Sequence, residues 1–265
     1  MSQIIQILFI ADIVGKHGLD TVASILPRLH QSHNIDMIIA NGENVTQGRG
    51  LDDKSAKYLL DLGIHVITSG NHIWQRRKYL KQLDSNPYLL RPVNYPSEAP
   101  GHGSCVYETT KNIQVGVISL QGRSFMYPID CPFKSAIHEI ELMKKNNVRC
   151  IIIDFHAEAT AEKIALAHYL DGKASFILGT HTHVQTADEK ILPNGTGYIT
   201  DVGMTGPHYS VIGMDINTAI QRFITQIPIH YKIASDIDLK FCGMYFTVDS
   251  ETGKACSIER LMIDI

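Results

Sequence analysis

Six short apolar runs recur along the chain: QIIQILFIA (3–11), IDMIIAN (35–41), HVITSG (65–70), IQVGVISL (113–120), VRCIIIDFH (148–156) and ASFILGTH (174–181). Runs of this length, rich in β-branched residues and bounded by turn formers, read as buried strands. Between them apolar residues fall at helical spacing in Leu19–His33, Asp53–Leu62, Arg76–Leu83, Phe133–Asn146 and Thr160–Leu170. Pro27 should kink or shorten the first of these helices. Ser104–Leu120 has the pattern of a hairpin around Lys111 and Asn112, and Ile229–Ile263 alternates like antiparallel strands. The expectation is an α/β fold, a layered mixed β-sheet core flanked by helices. No repeat, long linker or low-complexity tract divides residues 1–265, so one domain is expected.

Open α/β sheets place ligands outside the carboxyl ends of their strands, so the residues that follow each run are the ones to examine. Asp12 follows the first run, Glu43 and Asn44 the second, Asn71 and His72 the third, His156 with Glu158 the fifth, and His181 with His183 the sixth. In an extended segment residues i and i+2 face the same side, so His181 and His183 can converge on one object. Carboxylate, amide and imidazole together suit divalent transition metals. Asp12, Glu43, Asn44, Asn71, His156, His181 and His183 are too many ligands for a four-coordinate structural zinc, and no cysteine is among them. Two ions fit better, with Glu43 as the bridging carboxylate.

Other classes fit less well. A formal charge of -3 argues against an extended nucleic-acid-binding face. Five widely spaced cysteines without a C-x-x-C pair make a poor disulfide framework and suit a reducing cytoplasm. The N-terminal run is interrupted by Asp12 and lacks a basic leader, so it reads as a strand rather than a signal peptide or membrane anchor.

The ordered set Asp12, Gly42-Glu43-Asn44, Gly70-Asn71-His72, His156 and Gly179-Thr180-His181-Thr182-His183 resembles the calcineurin-like metallophosphoesterases. Longer strings, ADIVG, NGEN, SGNHIW, RPVNYP, HAEATAEK, GTHTHVQTAD and YITDVGMTGP, are similar to the YmdB-like branch of bacterial phosphodiesterases and run from Ala11 to about Met214. The chain departs from the wider superfamily, whose first motif is Asp-x-His and whose second carries a bridging Asp. Here these read Asp12-Ile13-Val14 and Glu43-Asn44, and Asn44 can supply an oxygen in place of the missing imidazole. The resemblance implies one ion on Asp12, Glu43, Asn44 and His183, and another on Glu43, Asn71, His156 and His181. It favours iron or manganese, with zinc and magnesium also compatible, and a small phosphodiester substrate, 2′,3′-cyclic nucleotides foremost.

Two ions lower the pKa of water from about 15.7 to about 7, so a metal-bound hydroxide is the expected nucleophile and no protein nucleophile is required. His72, next to a ligand, is placed to protonate the leaving oxygen as general acid. A phosphomonoesterase would use the same site; a non-catalytic metal-containing RNA-binding or regulatory protein is the alternative from another class. A homo-oligomer is compatible, with the loop Arg91–Gly103 or the C-terminal strands as the surfaces offered. Glu158 and Glu162 read either as helix-end charges or as supports for His156. Asp188 and Asp201 read first as turn caps and second as partners of imidazoles, and Arg123 as a solvated cation before a phosphate contact.

Overall fold

The computed structural model describes residues 3–76 and 80–265. In chain order the elements are β1 (Ile4–Ile10), β2 (Asp12–Ile13), α1 (Gly15–Ser32), β3 (Met37–Asn41), α2 (Asp53–Asp61), β4 (Val66–Thr68), a 3-10 turn (Asn71–Gln75), α3 (Leu80–Ser85), β5 (Ser104–Glu108), β6 (Gln114–Gln121), α4 (Pro132–Lys145), β7 (Cys150–His156), α5 (Thr160–Leu170), β8 (Phe176–Thr180), β9 (Lys190–Ile191), β10 (Gly197–Ile199), β11 (Met204–Pro207), α6 (Ile216–Thr225), β12 (Leu239–Asp249) and β13 (Ala255–Asp264).

These strands form two sheets. One has the order β2-β11-β12-β1-β3-β4 with β13 also paired to β12; the second has the order β5-β6-β7-β8-β10-β9. Within the first, β1, β3 and β4 are parallel, and within the second β6, β7, β8 and β10 are parallel. Strand alternation explains the layering. Ile5, Ile7 and Phe9 face Val115, Val117, Ile152 and Phe176 in a core between the sheets, where Phe176 stacks on Phe246 with ring centroids 4.0 Å apart. Leu8 and Ile10 point the other way, onto Val22, Ile25 and Leu29 of α1. Ile151, Ile153 and Phe155 likewise meet Ile140 of α4 and Leu166 and Leu170 of α5. The molecule is therefore a four-layer α/β/β/α sandwich, and its central strands are mostly apolar on both faces because both are covered.

The expected α/β class holds, with two stacked sheets rather than one. The strand runs and the Ser104–Leu120 hairpin appear where expected, with Asn112 in the left-handed region (φ 57°). Pro27 does not end the first helix: α1 begins earlier than expected, at Gly15, and continues through Pro27 to Ser32. Of the helix expected over Arg76–Leu83, Arg77, Lys78 and Tyr79 lie outside the described residues and the described part is Leu80–Ser85. The C-terminal antiparallel pair begins only at Leu239, and α6 lies ahead of it. Among the described residues no helix is long and apolar enough to cross a membrane.

Gly197 of β10 lies beside Phe176 of β8, its partner on the neighbouring strand of the same sheet, and leaves room for that ring: a Cβ there would stand 2.0 Å from it. Gly197→Ala should therefore destabilise the protein by about 1–3 kcal/mol through overpacking. A thermal melt should show this as a Tm lower by roughly 2–10 °C, and an unchanged Tm would contradict the packing described.

Candidate metal centre

The parallel strands of both sheets end on one side of the molecule, and the polar residues that follow them meet there. Asp12, Glu43, Asn44 and His156 are all buried. The Asn44 amide Nδ2 lies 3.2 Å from Asp12 Oδ1, 3.3 Å from Glu43 Oε1 and 3.1 Å from His183 Nε2. On the other side of Glu43, His156 Nε2 lies 3.0 Å from the same Oε1, 3.2 Å from Asn71 Oδ1 and 3.0 Å from His181 Nδ1. The seven residues thus form two groups that share Glu43 Oε1. Gly70 makes room for the second group, since a Cβ on it would stand 2.0 Å from the His156 ring.

Protons alone do not satisfy this arrangement. The Thr180 hydroxyl donates to Asp154 Oδ1 at 2.7 Å, so it accepts from His156 Nδ1 at 2.9 Å. With Nδ1 protonated, a neutral His156 presents a bare Nε2 to Glu43 Oε1, Asn71 Oδ1 and His181 Nδ1, and each of these offers a lone pair. In the first group a single NH₂ faces three acceptors. Burial by itself opposes a charge on His156, yet the Glu43 and Asp12 carboxylates outweigh it and lift its pKa to about 9. Burial likewise opposes the carboxylates of Glu43 and Asp12, and the imidazoles of His156 and His183 hold both below their ordinary range. His181 is pushed down to about 3, by burial and then by the charge on His156. The pocket demands positive charge, and its nitrogen and oxygen donors match a divalent cation. Glu43, His156 and His181 offer ligand atoms all within 4.8 Å of one another. Asn44 presents its NH₂ to this cluster, and a half-turn of the amide would present the oxygen.

The two histidines do not converge by strand alternation. β8 ends at Thr180, and His181 (φ 102°) and His183 (φ 65°) both adopt left-handed backbone. His181 consequently joins the His156 group and His183 the Asp12 group. Such strain persists only where its surroundings fix it. Here the His181 N–H donates to Asp12 Oδ2 at 3.2 Å, and the Thr182 N–H donates to Asp201 Oδ2 at 3.1 Å. Lys163, 1% exposed, donates to the Thr180 carbonyl at 2.8 Å and to Asp201 at 2.7 Å. The sequence reading missed Lys163, although it shares the inward face of α5 with Leu166, Ala167 and Leu170. A lysine in an apolar stripe signals a buried partner.

Behind these clusters, Asp154 accepts from Asn41 and Thr68 of one sheet and from Thr180 of the other, and burial raises its pKa to about 6. The remaining carboxylates divide by contact. Glu158 reaches His181 Nε2 at 3.1 Å, not His156. Glu162 accepts the backbone N–H groups of Arg123 and Ser124 at 3.2–3.3 Å. Asp188 accepts from Thr186 and Thr200, and Asp201 serves Lys163 and the loop backbone; among the described residues neither is hydrogen-bonded to an imidazole. The Arg123 side chain is exposed.

His72 stands beside the cluster. Its backbone N–H donates to Glu43 Oε2 at 3.0 Å, and its Nδ1 lies 2.8 Å from the Gln75 amide nitrogen. Burial holds the ring below its ordinary pKa against the pull of Glu43. His72 and His183 open onto a cleft of about 280 Å³ that is also lined by Arg49, Arg222 and Tyr231. Arg49 lies 5.0 Å above the Tyr231 ring, and Arg76 braces its loop by donating to the carbonyls of Thr46 and Arg49.

Known proteins share this arrangement of sequence and fold. A 2′,3′-cyclic-nucleotide 2′-phosphodiesterase of Bacillus subtilis (strain 168) is 44% identical, over 98% of this chain and 97% of that protein. A crystal structure described as a novel phosphatase of Mycoplasma pneumoniae superposes with a TM-score of 0.91 at 35% identity, over 100% of this chain and 95% of that one. A hypothetical protein from Thermus thermophilus gives a TM-score of 0.89 at 38% identity, over 98% and 99% of the two chains. Residues 8–261 match the family model of YmdB-like proteins, and the chain belongs to that family.

Proposed function

We propose that the chain is a metal-dependent phosphoric ester hydrolase that cleaves small phosphodiesters, 2′,3′-cyclic nucleotides foremost. The activity named for the Bacillus subtilis relative supports the substrate class. The observation that carries the reading is the pair of lone-pair clusters sharing Glu43 Oε1. Asp12, Glu43, Asn44 and His183 would hold one divalent ion, and Glu43, Asn71, His156 and His181 the other. When bound, such a pair supplies Lewis-acid stabilisation of the phosphate and an acidified water as nucleophile.

The chain's own residues then divide the remaining work. The His72 N–H fixes the free oxygen of Glu43, so the bridging carboxylate keeps one orientation. The Gln75 NH₂ donates to His72 Nδ1, which leaves the ring proton on Nε2 in the neutral tautomer. That Nε2–H is the proton available to a departing alkoxide, and His72 is the general acid of this reading. Arg49 and Arg222 place fixed positive charge on the cleft wall where a phosphate would enter. The same two cations suit a monoester dianion, the second reading, and parallel assays of a cyclic diester and its monoester product separate the two.

His72→Ala should lower kcat by about 10²–10⁴-fold, the usual worth of general acid catalysis, while elemental analysis finds the metal content of the wild type. Loss of metal together with turnover would instead make His72 a ligand. Chelation should abolish hydrolysis and lower the Tm, and manganese or iron(II) should restore both; at 100 times Kd a bound ion contributes about 2.7 kcal/mol. Sustained turnover by chelated protein free of detectable metal would overturn the metal-dependent reading.

A further inference from the structure

The segment between β6 and α4 holds two aromatic side chains in solvent beside the candidate centre. Phe125 is 92% exposed and Tyr127 76% exposed. With Met126 and Pro128 they wall a hollow of about 340 Å³ whose remaining lining is Asn71 and His181, two of the proposed metal ligands. Phe125 adopts left-handed backbone (φ 62°), a conformation that a bulky residue rarely takes.

The backbone beneath these rings is fixed. The Gly122 N–H donates to the His156 carbonyl at 3.0 Å, which ties the segment to the centre itself. Glu162 receives the next two backbone N–H groups, and Asn94 bonds both the N–H and the carbonyl of Asp130 at the far end. Gly122 permits the close approach, since a Cβ there would meet Ala157 at 2.5 Å. The chain thus holds two rings outward against burial, that of Phe125 also against backbone preference, at the lip of the proposed site for phosphate esters. Strain and exposure combined in this way are characteristic of binding sites.

We infer that Phe125 and Tyr127 form the platform on which the nucleobase of a nucleotide substrate stacks. The wall facing the hollow is aromatic and apolar and carries no charged side chain of its own, so it suits a flat, uncharged π-system. The shared Asn71 and His181 keep that group close to the phosphate. Stacking on two rings selects for the presence of a base, with the larger purines favoured, and does not read hydrogen-bonding edges. This inference rests on the phosphodiesterase reading and adds to it the position and chemistry of the specificity pocket.

The test compares adenosine 2′,3′-cyclic phosphate with methyl ribofuranoside 2′,3′-cyclic phosphate, which has the same diester and no base, on metal-loaded wild type, Phe125→Ala, Tyr127→Ala and Phe125→Tyr. The wild type should prefer the nucleotide in kcat/KM. Each alanine variant should raise KM for the nucleotide by about 5- to 100-fold with little change in kcat, so that the preference falls towards one, and Phe125→Tyr should restore it. An undiminished preference in both alanine variants overturns the inference, including the case in which they change only the oligomeric state. Calorimetric binding of adenosine 3′-monophosphate gives a readout independent of turnover. A wild type that binds it and cleaves neither diester contradicts the hydrolase reading alone, whereas equal binding by wild type and Phe125→Ala contradicts the platform.

Discussion

The Glu43 carboxylate stands between two sets of lone pairs, and the surrounding structure holds it there. It is 1% exposed; one oxygen accepts the His72 N–H and the other meets both His156 and Asn44. Buried negative charge of this kind survives only with positive charge beside it. Without metal the His156 imidazole takes that part, lifted to about 9 against the effect of its own burial. The proposed pair of divalent cations, one on each side of Glu43, would answer the same demand without asking one proton to serve several acceptors.

The four-layer sandwich brings these residues together. Its two sheets contribute separate sets of polar side chains, with Asp12, Glu43, Asn44 and Asn71 after strands of one and His156, His181 and His183 at strand ends of the other. Asp154 bridges the sheets directly behind the site, accepting from Asn41, Thr68 and Thr180. The strained turn at His181 and His183 is held by the buried Lys163–Asp201 pair, whose hydrogen bonds bracket the loop. Rigid supports of this kind keep metal ligands in position before any ion binds.

Much of this was legible in the sequence, for a simple reason. A strand covered on both faces must be apolar throughout, so Asp12, Glu43, His156 and His181 stand out where their runs end. What escaped was longer in range. The make-up of the first sheet depends on β12, which pairs not only with its hairpin neighbour β13 but also with β11 and with β1 near the other end of the chain. The convergence of His181 and His183 was expected from an extended segment and comes instead from left-handed turns that fall to different halves of the centre. Lys163 went unnoticed because its partner Asp201 lies 38 positions on. Phe125 and Tyr127 gave no periodic signal, since their exposure follows from a loop conformation set by Glu162 and Asn94.

The central claim is that two ions share Glu43. Anomalous diffraction from crystals of the manganese-loaded protein, recorded at the manganese absorption edge, tests it most directly. The account predicts two peaks on opposite sides of the Glu43 carboxylate, one beside Asp12 and His183 and the other beside Asn71, His156 and His181. A single peak, or two peaks that Glu43 does not touch, would contradict it.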